Sequence, residues 1–217
     1  MAINMTEQKQ VSTGTTTLVL MCKNGIVMAA DKRATAGDLI VDKKTEKIYQ
    51  IINEIATTIA GNPSDAVLLI RVAKAELVLK QLKSNTEVTV REVANYLGGL
   101  EYQNIRNPSM MPAVAHFVLA GKDRTGFHIY DIFPDGTTTH IDDYYSSGSG
   151  SVFVYGLLDT HYNKNMTIDE GIKLAIKCVN ASIQRDTMSG EGIDIAVIDE
   201  KGFRRVKREI LNNRFSE

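Results

Sequence analysis

The order in which hydrophobic periodicity changes along the chain is the strongest constraint on its fold. Thr16 to Cys22 and Ile26 to Asp31 are dense in β-branched and apolar residues and flank the turn signal Lys23-Asn24-Gly25, which predicts a hairpin. Lys47 to Ile52 and Ile55 to Ala60 read as further strands. From Asp65 to about Leu82 the apolar residues recur at helical intervals. Thr89-Val90-Arg91-Glu92 fits a capping box for a second helix that ends before Asn107-Pro108. Strands return at Ala113 to Ala120, Gly126 to Ile132 and Thr137 to Ile141. Two helices follow, Ser151 to Tyr162 and, behind the capping box Thr167 to Glu170, a longer one through about Gln184. Ile193 to Ile198 closes the pattern as a strand, followed by a short basic segment around Arg204 to Arg208. Strand runs alternating with paired helices predict an α+β chain of two antiparallel sheets flanked by helices, a four-layer αββα sandwich, over a βαβ order.

Composition narrows the function classes. The 217 residues suffice for one well-buried domain, and 43% hydrophobic with 24% charged residues is ordinary for a globular chain. A formal net charge of -1 offers no broad basic field, so nucleic acid is not an expected partner. Cys22 and Cys178 lie in apolar runs without metal-ligand spacing and are expected as buried free thiols. His116, His128, His140 and His161 are scattered without metal spacing, and neither a metal nor a cofactor is expected. The first residues lack an apolar signal core, and no stretch approaches the roughly 20 apolar residues that span a bilayer. The expectation is a soluble, cytoplasmic protein with no membrane partner. Gly148-Ser149-Gly150 has neither P-loop nor dinucleotide-fingerprint spacing, so a nucleotide site is not expected.

The informative junction is Gly14-Thr15-Thr16-Thr17, where a polar, aperiodic leader meets a strand of buried character. Threonine is common in strands, and an exposed tail beside a strand is the plain reading. The sharper one is that cleavage after Gly14 makes Thr15 the new terminus, with its α-amine in reach of its own hydroxyl. An α-amine titrates near 8, suited to a base working at neutral pH. A threonine hydroxyl is a weak nucleophile and needs such help. Lys47 and Asp31, at predicted strand ends, either form an ion pair aimed at this terminus or are solvated strand-end charges.

These residues belong to a larger pattern: Thr15-Thr16-Thr17, Asp31-Lys32-Arg33-Ala34-Thr35, Lys47-Ile48-Tyr49, Ala60-Gly61, Gly148-Ser149-Gly150-Ser151, and Gln184-Arg185-Asp186 with Ser189-Gly190. From Thr15 to about Val206 the chain resembles the proteasome core-particle β subunits, most closely the archaeal type. The resemblance implies the N-terminal nucleophile hydrolase fold and a threonine endopeptidase, with Met1 to Gly14 as a self-removed propeptide and residues 15–217 as the hydrolase domain. It implies Thr15 as nucleophile, Asp31 and Lys47 as the activating charged pair, and Gly61 as the source of an oxyanion-hole N–H. Ser149, Asp186 and Ser189 fall to the hydrogen-bond network around the terminal amine. The glycine at 61 is expected to let substrate backbone approach.

By the same resemblance, the pocket for the residue preceding the scissile bond is lined by Ala34, Thr45, Tyr49, Ile59, Pro63 and Val67. This apolar lining favours cleavage after large hydrophobic residues, with Thr35 pairing the extended substrate. Implied partners are other β subunits in a seven-membered ring, α subunits, an ATP-dependent unfoldase and unfolded polypeptide. Asn62-Pro63-Ser64-Asp65 departs from the family pattern: Pro63 has no N–H where a donor usually helps hold substrate. That departure keeps open a weakly active or structural β subunit. An α-type gating subunit is disfavoured, because the leader is no helix-forming extension and Thr15, Asp31 and Lys47 are all present.

Overall fold

The computed structural model describes residues 14–108 and 114–211. Its elements are β1 (Thr17–Cys22), β2 (Gly25–Asp31), β3 (Ala34–Ala36), β4 (Leu39–Asp42), β5 (Ile48–Ile52), β6 (Ile55–Gly61), α1 (Pro63–Ser84), α2 (Val90–Arg106), β7 (Ala115–Asp123), β8 (Gly126–Ile132), β9 (Thr138–Ile141), β10 (Tyr144–Ser147), α3 (Ser151–His161), α4 (Ile168–Arg185), β11 (Gly192–Asp199) and β12 (Gly202–Ile210). They build a five-stranded antiparallel sheet ordered β10-β1-β2-β11-β12, a second ordered β5-β6-β7-β8-β9, and the small hairpin β3-β4.

Three apolar layers hold these pieces together. Leu18, Leu20, Val27, Ala29, Ile195 and Val197 point from the first sheet toward α3 and α4, where Leu158, Ala175 and Val179 meet them. The alternate residues Val19, Ile26, Met28, Ala196 and Ile198 point the other way, onto Ile48, Ala56, Val118, Ala120 and Ile129 of the second sheet. The far face of that sheet carries Ile51, Ile59, Phe117 and Leu119 against Ala66, Ile70, Val93 and Leu97 of α1 and α2. Because β1, β2 and β11 bury both faces, they read as continuous apolar runs, not as alternating ones. The expected αββα sandwich is therefore present.

Both threonine capping boxes form. Thr89 and Thr167 accept from the backbone N–H of Glu92 and Glu170, and those carboxylates accept from the threonine N–H groups in return. Three features were not anticipated. The hairpin β3-β4 is short and largely exposed, so it carries little apolar signal. Strand β10, Tyr-Tyr-Ser-Ser, is specified by its pairing with β1 across Leu18↔Ser146 and Val19↔Tyr145. The basic segment near the end is strand β12, an edge strand whose outward positions are Arg and Lys, as suits an edge that must not recruit another chain. The strand expected from Ala113 begins at Ala115, and Ala113 lies outside the described residues. No helix of the described residues is long and apolar enough to cross a membrane.

Cys22 and Cys178 are buried free thiols in the layer beneath α4. Burial pushes each up to about 12. A thiolate is the reacting species, so neither should react with a thiol reagent in the native protein at pH 8. Both should react at once in denaturant, and rapid native labelling would show that this layer opens locally.

Candidate active site

The site lies where the two sheets end together. The β1-β2 register places Thr17 opposite Ala30, and the N–H of Asp31 donates to the Thr16 carbonyl at 3.0 Å. Residues 15 and 31, sixteen apart in sequence, thus become neighbours at the hairpin's open end. Lys47 enters from the residue before β5, held as its carbonyl accepts from Ile59 N–H at 2.9 Å. Gly61 is the last residue of β6.

Asp31 is fully buried and accepts four donors. Oδ1 takes the Thr16 N–H at 2.8 Å and the Lys47 ammonium at 2.7 Å; Oδ2 takes the N–H groups of Arg33 and Gly190, each at 3.0 Å. Lys47 is 3% exposed, and burial pulls its pKa down while the adjacent Asp31 opposes that fall. The resulting buried ion pair has Nζ 3.5 Å from the Gly14 carbonyl oxygen. Thr15 is itself buried, and its hydroxyl donates to the same oxygen at 2.6 Å. The hydroxyl, the lysine and the peptide bond before Thr15 therefore converge on one carbonyl group.

A second network approaches from α4 and the turn beyond it. Asp186 Oδ2 accepts from Ser149 Oγ at 2.7 Å and Ser189 Oγ at 2.6 Å, and Ser149 Oγ accepts from the Thr15 N–H at 3.3 Å. Ser189 Oγ also meets Thr16 Oγ1 at 2.7 Å, and Ser182 Oγ bonds that hydroxyl from its other side. Ser149, Asp186 and Ser189 were expected here from sequence; roles for Thr16, Ser182, Arg33 and Gly190 were not. Of these, Ser182 carried a signal: it is a polar residue on the buried face of α4, in line with Val179 and Cys178.

Glycines at this site serve close approach. Gly61 has φ +97°, and a Cβ there would sit 2.4 Å from the Val114 carbonyl oxygen. The missing side chain thus makes room for the Val114 carbonyl just before strand β7. A Cβ on Gly14 would lie 1.7 Å from Met188 Cβ, and one on Gly150 would overlap the hydroxyls of Thr16 and Ser182. The Gly-Ser-Gly segment is therefore a tight wrap around the Thr15-Thr16 backbone.

Beside Thr15 is a cavity of about 110 Å³. Of the residues expected around the substrate pocket, Ala34, Thr45, Ile59 and Pro63 line this cavity, together with Gly14, Thr15, Arg33, Thr35, Val41, Lys47, Ala60 and Gly61. Tyr49 and Val67 do not line it; they lie against the core layer under α1. Tyr49 instead donates its hydroxyl to the Glu46 carbonyl at 3.1 Å. Pro63 is the first residue of α1, behind Asn62, whose side chain accepts from the Ser64 N–H. A first-turn N–H has no intrahelical partner, so a proline costs the helix nothing there.

The histidines sit away from Thr15. His116 pairs with Asp131 at 2.6 Å, and His128 meets His140 at 3.5 Å. Among the described residues no group of three or more His, Cys, Asp or Glu is arranged to hold a metal.

An αββα sandwich that gathers a threonine hydroxyl, a buried lysine–aspartate pair and a terminal glycine at the end of its sheets has the form of an N-terminal nucleophile hydrolase. Comparison with known proteins makes this specific: the chain belongs to the proteasome subunit family, whose profile matches residues 11–198. It is 38% identical over 194 residues to the proteasome subunit beta of Ferroglobus placidus, an alignment covering 89% of this chain and 90% of that protein. It is 36% identical over 197 residues to the proteasome subunit beta of Methanocaldococcus vulcanius, covering 90% and 86% respectively. With that of Archaeoglobus fulgidus it shares 36% over 201 residues, covering 93% and 92%. The chain is thus a β-type subunit of the proteasome core and a threonine-type endopeptidase, and it assembles with other proteasome subunits.

Proposed function

We propose that Thr15 is the nucleophile and that the chain activates itself by cutting the Gly14–Thr15 bond. The observation that carries this is the convergence of the Thr15 hydroxyl, 2.6 Å away, and the Lys47 ammonium, 3.5 Å away, on the Gly14 carbonyl oxygen. Attack by Oγ1 on the Gly14 carbonyl carbon places negative charge on that oxygen, where Lys47 lowers its cost. Breaking the C–N bond moves the leader onto Oγ1 as an ester and frees the Thr15 amine, which takes the hydroxyl's proton. Water then cleaves the ester, regenerating the hydroxyl and releasing a leader that ends at Gly14. The Gly14 N–H donates to Thr35 Oγ1 at 3.0 Å beside the cavity, which supports reading Gly14 as the residue that precedes the cut.

In the mature chain the α-amine becomes the base for Oγ1, with Ser149, Asp186 and Ser189 orienting it and Gly61 supplying an oxyanion donor. Ala34, Val41, Ile59, Ala60 and Pro63 give the cavity an apolar lining, which supports cleavage after hydrophobic residues. The setting we infer is a seven-membered β ring stacked on α rings in the cytoplasm, receiving unfolded polypeptide from an ATP-dependent unfoldase. Intact mass of the assembled protein tests the reading. It should begin at Thr15 and hydrolyse a short peptide whose reporter follows a hydrophobic residue, whereas an assembled chain retaining Gly14 would overturn it.

The missing donor at Pro63 supports a second reading, a subunit that binds peptide weakly. Pro63→Ala restores one N–H at the cavity's edge, and one hydrogen bond is worth about 1 kcal/mol, so KM should fall about fivefold. An unchanged KM would remove Pro63 from the account of substrate binding.

A further inference from the structure

Glu101 is a fully buried carboxyl that the catalytic scheme does not use. It projects from the core face of α2, with Oε1 accepting from the Ala115 N–H at 3.1 Å and Oε2 having no hydrogen-bond partner. Ala115 is the register partner of Gly61. The neighbouring Val114 carbonyl accepts from the Asn62 N–H at 2.8 Å and is the atom that a side chain on Gly61 would strike. One carboxyl therefore anchors the strand segment against which Gly61 is pressed.

We propose that Glu101 is a positioning residue for Gly61, holding the start of β7 behind the glycine through the Ala115 N–H and, by changing its own charge, altering how firmly that strand is held. This rests on the reading of Gly61 as an oxyanion donor. Burial pushes the carboxyl up to about 7, opposed first by the Ala115 N–H, aided by the charge of Asp65 in the first turn of α1, and opposed last by Asn104. Asp65 is the charged group acting on it, and it is of like sign, so among the described residues no cation compensates the ionised form. A raised pKa means that the folded state prefers the neutral acid. The hold is complete below the unfolded value of 4.5 and is lost as pH rises through about 7. Proton loss then leaves a buried charge that the Ala115 N–H and Asn104 offset only in part, so an opening of the start of β7 that lets water reach the carboxylate becomes easier.

The test uses the assembled full-length protein with Glu101→Gln and Glu101→Met. Glutamine keeps the acceptor for Ala115 and removes the titration; methionine keeps the volume and removes the acceptor. The ratio of wild-type to Glu101→Gln kcat should fall several-fold between pH 6 and pH 8, while any limb due to the Thr15 amine persists in both. Glu101→Met should lower kcat about tenfold with KM nearly unchanged, the scale of one lost hydrogen bond to a buried N–H. Hydrogen exchange of the peptides covering β6 and β7, measured in a Thr15→Ala background and corrected for intrinsic rate, reads the same link without catalysis. Protection should fall as pH rises from about 4.5 to about 7 when Glu101 is present and stay level in Glu101→Gln. Identical pH dependence of Glu101→Gln and wild type in both readouts would overturn the inference, as would an unaltered kcat in Glu101→Met. Loss of turnover in every form with the exchange transition intact would instead sink the proposed roles of Thr15 and Gly61 and leave the anchoring role of Glu101 standing.

Discussion

Thr15→Ala should leave the Gly14–Thr15 bond intact and turnover at background. Removing the nucleophile of a protease that acts through a coupled set of residues costs on the order of 10⁶ in kcat, and at least about 10⁴ is expected here. The result will be interpretable, because among the described residues the Thr15 hydroxyl has the Gly14 carbonyl as its hydrogen-bond partner. The Thr15 backbone remains held by Ser149 and by Gly150 N–H. Thr15→Ser retains the hydroxyl and should still process. Mass spectrometry of the assembled variants and a peptide-hydrolysis assay decide the matter. An alanine variant that begins at residue 15, or cuts peptide at the wild-type rate, would exclude Thr15 as the nucleophile of either reaction.

The layered architecture was readable because it depends on local signals. Apolar runs bounded by turns, and threonines followed three residues on by glutamate, act over a few residues and appear in sequence as they do in the fold. The site was legible in another way: the residues alone left Asp31 and Lys47 open between an ion pair and solvated strand-end charges, and the resemblance to the proteasome β subunits pointed to them. What escaped reading depends on long-range pairing. β10 carries no apolar run of its own, and Ser182 acquires its meaning only from Thr16, 166 residues away in the chain. Glu101 lies between these cases. It continues the Val93, Leu97 spacing of the buried helix face, so a carboxylate stood on a core position in plain view. Its reason, the Ala115 N–H, comes from another element.

Asp31→Asn should be nearly as damaging as loss of the nucleophile, and its pH dependence will identify the cause. Two carboxylate oxygens now accept four donors; an asparagine offers one oxygen and turns an NH₂ group toward two of those donors. Breaking a buried ion pair from one side typically costs 3–5 kcal/mol, here about 10 °C in midpoint for a chain of this size. Turnover should fall about a thousandfold or more, since the lysine no longer has an anchor, and processing should stall. Without Asp31 the burial of Lys47 loses its main opponent, leaving the more modest pull of Asp186, so its pKa falls further below the ordinary lysine value. Between that lowered folded value and the unfolded one, the unfolded chain binds more protons, and stability rises with pH. The midpoint deficit of Asp31→Asn relative to wild type should therefore shrink from pH 7 to pH 10. A deficit constant across that range would trace the damage to the backbone donors Thr16, Arg33 and Gly190 alone, and wild-type turnover in Asp31→Asn would remove the charged pair from the mechanism.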